Sequence, residues 1–186
     1  MDIVNYSYWV WDGVLSKEFC DSVLAKVDWE NAETATINGY GANIVDTKQR
    51  VTDVAWQGPM DPIGCVAKTY IDVANRSAGW HYVLSDQEPT QIGRYKSVDN
   101  GFYDWHMDSY PPKNGIQRKL TCVILLNDST DYEGGELQIK NLEDRILLKN
   151  QGSVIVFPSF IDHRVTPVTK GVRYTAVTWA LGPSFR

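Results

Sequence analysis

Apolar residues recur with helical spacing in two stretches of the chain. Phe19, Cys20, Val23, Leu24 and Val27 follow Ser16, a residue type whose side-chain oxygen caps helix N-termini. Ile63, Val66, Ala67, Tyr70, Ile71 and Ala74 form the second stripe. Asp61 stands before it as N-cap, Pro62 at the first helical position and Gly79 past the end, which is the expected order of start and stop signals. Gly39 to Gly58, between the two, is polar and has no clear period, and is expected as a loop lying partly over the functional site. From about residue 80 the pattern changes to short apolar runs separated by turn residues. These predict strands at 80–84, 91–96, 102–108, 118–127, 136–140, 145–149, 153–157, 161–166 and 172–181. Gly134 and Gly135 mark a hairpin or bulge, and Lys149 to Gly152 a turn. Pro111 and Pro112 forbid a ladder in Ser109 to Gly115, so that segment is a loop, bordering whatever Asp108 serves.

Many short strands after two helices predict a mainly β fold, a sandwich or barrel with flanking helices. No repeat or linker divides the chain, so residues 1–186 read as one domain, with 1–90 as helical support and lid and 91–182 as the β core. With 43% hydrophobic and 22% charged residues the composition is that of a globular protein and excludes a disordered chain. The net charge of −5 argues against a protein that grips nucleic acid, and no apolar run approaches a membrane span. The first residues lack a signal-peptide pattern, so a cytoplasmic location is expected. Cys20, Cys65 and Cys122 are odd in number and far apart, which fits a reducing compartment and no CxxC zinc site.

Candidate chemistry enters at residue 106. His106 and Asp108 are two apart, so on a strand they project from one face, and Asp104 precedes them with the same spacing. Trp105 and Met107 interleave as the apolar reverse face. His163 follows the buried-looking run Ser153 to Pro158 and supplies a third ligand from another strand. Two imidazoles and one carboxylate on one side of an ion leave its other positions open, the facial triad of non-heme Fe(II) oxygenases. Ten residues on, Arg173 opens a β-branched and aromatic stretch that reads as a central strand, where a buried charge needs a partner such as a carboxylate clamped through two hydrogen bonds. His81 reads as an ordinary, partly buried strand residue.

These residues fall in the order of a known family. Tyr95, His106, Asp108, Arg118, Thr121, Asn127, the run Tyr132 to Leu137, Gly152, Phe157 to Ser159, His163, Val168, Gly171, Arg173 and Trp179 are similar to the landmarks of the Fe(II)/2-oxoglutarate dioxygenases. Within that family the chain resembles the prolyl 4-hydroxylase-like branch, in its microbial or phage form. The resemblance implies a double-stranded β-helix, the cupin-like jelly roll, with the N-terminal helices supporting its major sheet. It implies Fe(II) held by His106, Asp108 and His163, and 2-oxoglutarate held by Arg173 and Tyr95, with Thr121, Leu137 and Trp179 lining the pocket. O2 and 2-oxoglutarate would be converted to succinate and CO2, with ascorbate a candidate reductant. The implied substrate is a prolyl residue of a peptide or protein, with a free amino acid or small metabolite as the alternative. At Leu125 and Val177 the chain departs from the animal hypoxia-type enzymes, which carry a tyrosine and a hydroxyl-bearing residue there. Two other readings of the triad stay open: a zinc hydrolase, and a noncatalytic jelly-roll binding module.

Overall fold

Helical periodicity is realised where the sequence predicts it. Helix α1 (Lys17–Leu24) is capped by Ser16, whose Oγ accepts the Phe19 N–H at 3.2 Å. Helix α2 (Pro62–Ser77) ends at Ala78, and Gly79 takes the left-handed φ of +75° that lets the chain turn away. Asp61 occupies the N-cap position, but its carboxylate accepts the Gly58 N–H at 2.6 Å and makes no bond to the first turn.

The computed structural model describes residues 6–39, 42–142 and 148–185. Its strands, in chain order, are β1 (Trp9–Trp11), β2 (Glu33–Thr34), β3 (Ile37–Gly39), β4 (Ala42–Ile44), β5 (Arg50–Val51), β6 (Asp53–Gln57), β7 (Asp86–Gln87), β8 (Thr90–Lys96) and β9 (Phe102–His106). They continue with β10 (Ile116–Leu125), β11 (Tyr132–Gly134), β12 (Leu137–Ile139), β13 (Val154–Pro158), β14 (His163–Val165) and β15 (Val168–Pro183). Among the described residues a nine-stranded antiparallel sheet runs β1-β13-β10-β15-β8-β6-β2, with β7 and β11 added to β15. A four-stranded sheet, β12-β14-β9-β5, faces it, and β3 pairs with β4. This is the double-stranded β-helix, mostly β with two helices on the major sheet.

Strand alternation separates two buried layers across the major sheet. Leu120, Cys122 and Ile124 of β10, Val154 and Val156 of β13 and Ala176 and Ala180 of β15 pack with Cys20 and Val23 of α1 and Ile63, Ala67, Ile71 and Ala74 of α2. The residues between them, Val123, Leu125, Ile155 and Phe157, join Tyr103, Leu137, Ile139 and Val165 in the layer between the sheets. Gly152 closes the turn before β13 at φ +79°, where a Cβ would collide with the Leu15 carbonyl oxygen.

Four expectations change. Gly39 to Gly58 is not a loop: β4, β5 and β6 fall inside it, and Thr52 and Val54 are buried. Short strands with polar outer faces carry little periodicity, which hides them. Residues 80–84 form no strand, because α2 ends in a tight reversal in which Asn75 bonds both the N–H and the carbonyl of Tyr82 at 2.9 Å. His81 accordingly is exposed, at φ +51°, and no strand residue. The strand expected at 102–108 stops at His106. The strand expected at 145–149 lies largely outside the described residues. Among the described residues no helix is long and apolar enough to cross a membrane.

An ion-pair network fastens β6 to β8. Asp53 Oδ2 accepts from Arg94 at 2.8 and 3.0 Å and lies 3.1 Å from Lys96 Nζ. Partial burial opposes ionisation, but hydrogen bonds from Arg94 and Lys96 outweigh it and hold the Asp53 carboxyl below its ordinary value. A depressed folded-state pKa contributes stability above the unfolded value near 4, and that contribution is lost as pH falls through the folded value. Asp53→Asn should therefore cost about 1 kcal/mol at pH 7. In thermal unfolding followed from pH 7 to pH 3, the gap between variant and parent should close at the acid end.

Candidate active site

His163 and His106 are direct cross-strand partners in the β14–β9 ladder, which sets two imidazoles side by side with ring centroids 4.2 Å apart. The ladder shifts register between His163 and Val165, whose partner is Tyr103, so β9 carries an extra residue there. The bulge turns Tyr103 rather than Asp104 to the inside: Tyr103 is buried and stacks on His106 at 3.4 Å, while Asp104 is exposed. Asp104 thus does not share the ligand face that simple alternation gives it.

Asp108 lies beyond the end of β9, in a bend. Its own N–H and that of Ser109 both donate to the Ser159 carbonyl, at 2.9 and 2.8 Å. Its Oδ2 accepts the Thr121 hydroxyl at 2.8 Å, and Ser159 Oγ lies 3.0 Å from the same hydroxyl. Thr121, expected on the pocket wall, is instead spent on orienting this carboxylate. Asp108 Oδ1 is 3.6 Å from His106 Nε2, and Oδ2 is 3.5 Å from His163 Nε2. Ligand atoms of the three residues all lie within 4.8 Å of one another, a spread that bonds of about 2.1 Å to one ion can span.

The imidazoles are held ready for a metal. Nδ1 of His106 lies 2.7 Å from the Asp104 carbonyl and Nδ1 of His163 lies 2.9 Å from the Ile161 carbonyl. A carbonyl only accepts, so each Nδ1 carries the proton and each Nε2 presents a lone pair to the shared centre. Burial, and then the neighbouring His163, depress the His106 pKa to about 3, leaving it neutral at physiological pH. Burial opposes the charge on Asp108, but His163, His106 and Arg118 outweigh it and keep the carboxylate ionised.

The cluster opens into a cavity of about 1150 Å³ between the sheets. Arg173 reaches into it from β15 and is only 2% exposed, yet its Nε and Nη1 have no hydrogen-bond partner among the described residues. It has no carboxylate partner among them either, so the guanidinium is a charged, unfilled fork. Tyr95 is its cross-strand partner on β8, with Arg173 Cζ 5.5 Å from the ring centre. Gly135, at φ +65°, lies under it; a Cβ there would come within 2.7 Å of Arg173 Cδ, which explains the second glycine after Glu133. Leu137, Val177 and Trp179 line the walls, as do Tyr110, Lys113 and Asn114 from the loop after Asp108. Arg118 is bound bidentately to Glu88, at 2.9 and 2.6 Å, and lies 3.8 Å over the Trp179 ring.

Sequence reasoning missed several lining residues, among them Glu88, Gln91, Thr175 and Arg50. Thr175 was within reach, being two residues from Arg173 on one strand and hence on its face. The donor set suits a hard divalent metal with N and O ligands, and the empty fork of Arg173 suits a carboxylate. Thr121→Val should lower Mn(II) affinity about 10-fold in a calorimetric titration, while Thr121→Ser preserves it.

Comparison with known proteins places this site. Residues 90–181 match the family model of the 2OG-Fe(II) oxygenase superfamily, and all the cluster residues and Arg173 fall within that span. A PKHD-type hydroxylase of Synechococcus sp. (strain CC9311) is 35% identical over 95 residues, 49% of this chain and 43% of the relative. One from Idiomarina loihiensis is 36% identical over 101 residues, 52% of this chain and 46% of the relative. The chain thus spans less than half the length of these curated relatives. In fold, a viral collagen prolyl hydroxylase from Paramecium Bursaria Chlorella virus-1 superposes with TM-score 0.71 at 19% identity, over 95% of this chain and 97% of the other. A prolyl-4-hydroxylase of Pseudomonas putida gives 0.68 at 19% identity, over 96% and 94%. A Trichoplax adhaerens prolyl hydroxylase, solved with a hypoxia inducible factor peptide fragment, gives 0.65 at 19% identity, over 94% and 83%. Residues 90–181, which carry the His-Asp-His cluster and its buried arginine, thus match the 2OG-Fe(II) oxygenase superfamily, and the double-stranded β-helix that holds them is similar in fold to the prolyl hydroxylases.

Proposed function

We propose that the chain is an Fe(II)- and 2-oxoglutarate-dependent hydroxylase acting on a prolyl residue of a peptide or protein. The observation that carries the cofactor part is the pairing of a His-Asp-His cluster with a fully buried guanidinium whose Nε and Nη1 are unfilled. A zinc hydrolase has no use for that second feature. His106 and His163 would bind the metal through Nε2 and Asp108 through its carboxylate. Arg173 would hold the far carboxylate of 2-oxoglutarate, with the Tyr95 hydroxyl as a further hydrogen-bond donor to it. When bound, iron and 2-oxoglutarate together supply the oxidising power, consuming O2 and releasing succinate and CO2 as one oxygen atom enters a C–H bond. Ascorbate is the proposed reductant that keeps the metal ferrous.

The chain's own part is placement. Buried Leu137 and Trp179, with Val177, wall the cavity and exclude water from the reacting centre. The cavity is somewhat larger than usual small-molecule pockets, so it has room for a substrate residue beside the cosubstrate. The prolyl assignment is supported by the prolyl hydroxylases that share the fold, one of them holding a peptide.

Anaerobic addition of Fe(II) and then 2-oxoglutarate should produce a weak visible charge-transfer band. Arg173→Ala should raise the 2-oxoglutarate concentration needed to reach half of that band by about 10-fold or more. An unchanged midpoint would remove Arg173 from the cosubstrate site. His106→Ala should abolish the band. Gly135→Ala, which crowds the Arg173 side chain without touching the metal, should weaken 2-oxoglutarate binding while leaving Mn(II) affinity at the parent value.

A further inference from the structure

A second buried guanidinium faces the same cavity. Arg50, on β5, is 93% buried and stands directly across the ladder from Tyr103, with its Cζ 4.5 Å from that ring's centre. Tyr103 also carries the stacked His106 ring, so one aromatic side chain touches both this cation and a candidate metal ligand. The hydrogen bonds of Arg50 go to neutral groups: Nη2 donates to Gln91 Oε1 at 2.6 Å, and Nη1 makes a long contact of 3.4 Å with the Thr36 carbonyl. Its Nε has no partner, and it has no carboxylate partner among the described residues.

Charge balance in the cavity gives that isolation a meaning. Glu88 and Arg118 neutralise each other in a bidentate pair. On the reading proposed above, divalent iron, Asp108, the two carboxylates of 2-oxoglutarate and Arg173 also sum to neutrality. Lys113 lines the mouth but is exposed, and water screens it. Arg50 is then the buried cation left over among the described lining residues. The face of Tyr103 and the Gln91 carbonyl offset only part of the cost of burying a full charge.

Resting on the proposed hydroxylase reading, we infer that Arg50 is a specificity residue that binds a carboxylate of the substrate during its hydroxylation. Three sources offer that group: a free imino acid, the C-terminus of a peptide, or an acidic side chain beside the target residue. A carboxylate would complete the charge balance and form the charge-assisted hydrogen bonds that Gln91 and Thr36 leave unsatisfied.

The test uses the full chain loaded anaerobically with Fe(II) and 2-oxoglutarate, whose charge-transfer band reports first on the cofactor reading itself. Three matched pairs of probes are then titrated against that band: L-proline and L-prolinamide, acetyl-Gly-Pro and its amide, and end-blocked Pro-Asp and Pro-Asn dipeptides. Admission of O2 gives the rate of oxygen insertion for each by mass. In one pair the acid should bind, and be turned over at low concentration, roughly 10- to 100-fold better than its amide partner. Which pair does so identifies the source. Arg50→Met should bring that ratio close to one while leaving binding of the blocked, neutral amides unchanged, and Arg50→Lys should retain part of it. A purely structural role for Arg50 would lower acid and amide alike, leaving the ratio intact, and would overturn the inference. So would equal binding within all three pairs, or a band that forms normally while no acid binds. If Arg50→Met fails to fold, the parent ratios and Arg50→Lys still decide. Absence of the band itself would overturn the hydroxylase reading, and the inference with it.

Discussion

The central strands of the major sheet, β10, β13 and β15, are covered on both faces, and this constrains everything else in the molecule. A strand covered on both sides can give its odd and even residues to two different environments with only the thickness of a backbone between them. In β10, beyond the register shift at Arg118–Leu120, one set meets the helices and is wholly apolar, while the other begins with Thr121, which holds Asp108. In β15 the same alternation sends Ala176 and Ala180 to the helices and Arg173, Thr175, Val177 and Trp179 to the cavity. The helices therefore do more than shield a surface. By fixing the dry face of β10, β13 and β15 they fix the register with which the polar face meets the minor sheet, and a slip of one residue would bury Arg173 among alanines and isoleucines.

The parts of this arrangement that depend on period two were legible in the sequence. Helices α1 and α2, most core strands and the grouping of His106, Asp108, His163 and Arg173 follow from spacing, from the residue types and from a resemblance carried by many short motifs. What was not legible depends on departures from periodicity. The bulge in β9 exchanges Asp104 for Tyr103 on the inner face, and no glycine or other bulge signal in Phe102–His106 announces it. Asp108 converges on the imidazoles because the Ser159 carbonyl ties down a bend, a contact between residues 51 apart. Arg50 was hidden for another reason. It lies on a two-residue strand inside a polar stretch, where one arginine looks like any solvated charge until Tyr103 and Gln91 are seen around it.

Three guanidinium groups line one cavity and differ in what surrounds them. Arg118 is bound bidentately by Glu88, Arg173 has Nε and Nη1 without a partner among the described residues, and Arg50 rests on an aromatic face and a carboxamide. Identical side chains thus act as a wall, a clamp and an uncommitted charge, and neighbours alone make the difference. The same dependence on neighbours separates Gly135 from an ordinary turn glycine, since the Arg173 side chain occupies the space a Cβ would need.

Both candidate metal-binding imidazoles take their tautomer from a backbone carbonyl two residues earlier, Asp104 for His106 and Ile161 for His163. A carboxylate or amide side chain in that role could be lost in a single codon change. A main-chain carbonyl cannot, because every amino acid brings one. The orientation of the ligands is thereby insulated from mutation at the very positions that enforce it. The exposed Asp104 side chain is left free to drift or to acquire other duties, so long as the local path of the chain is kept, while that of Ile161 answers only to its packing against the core.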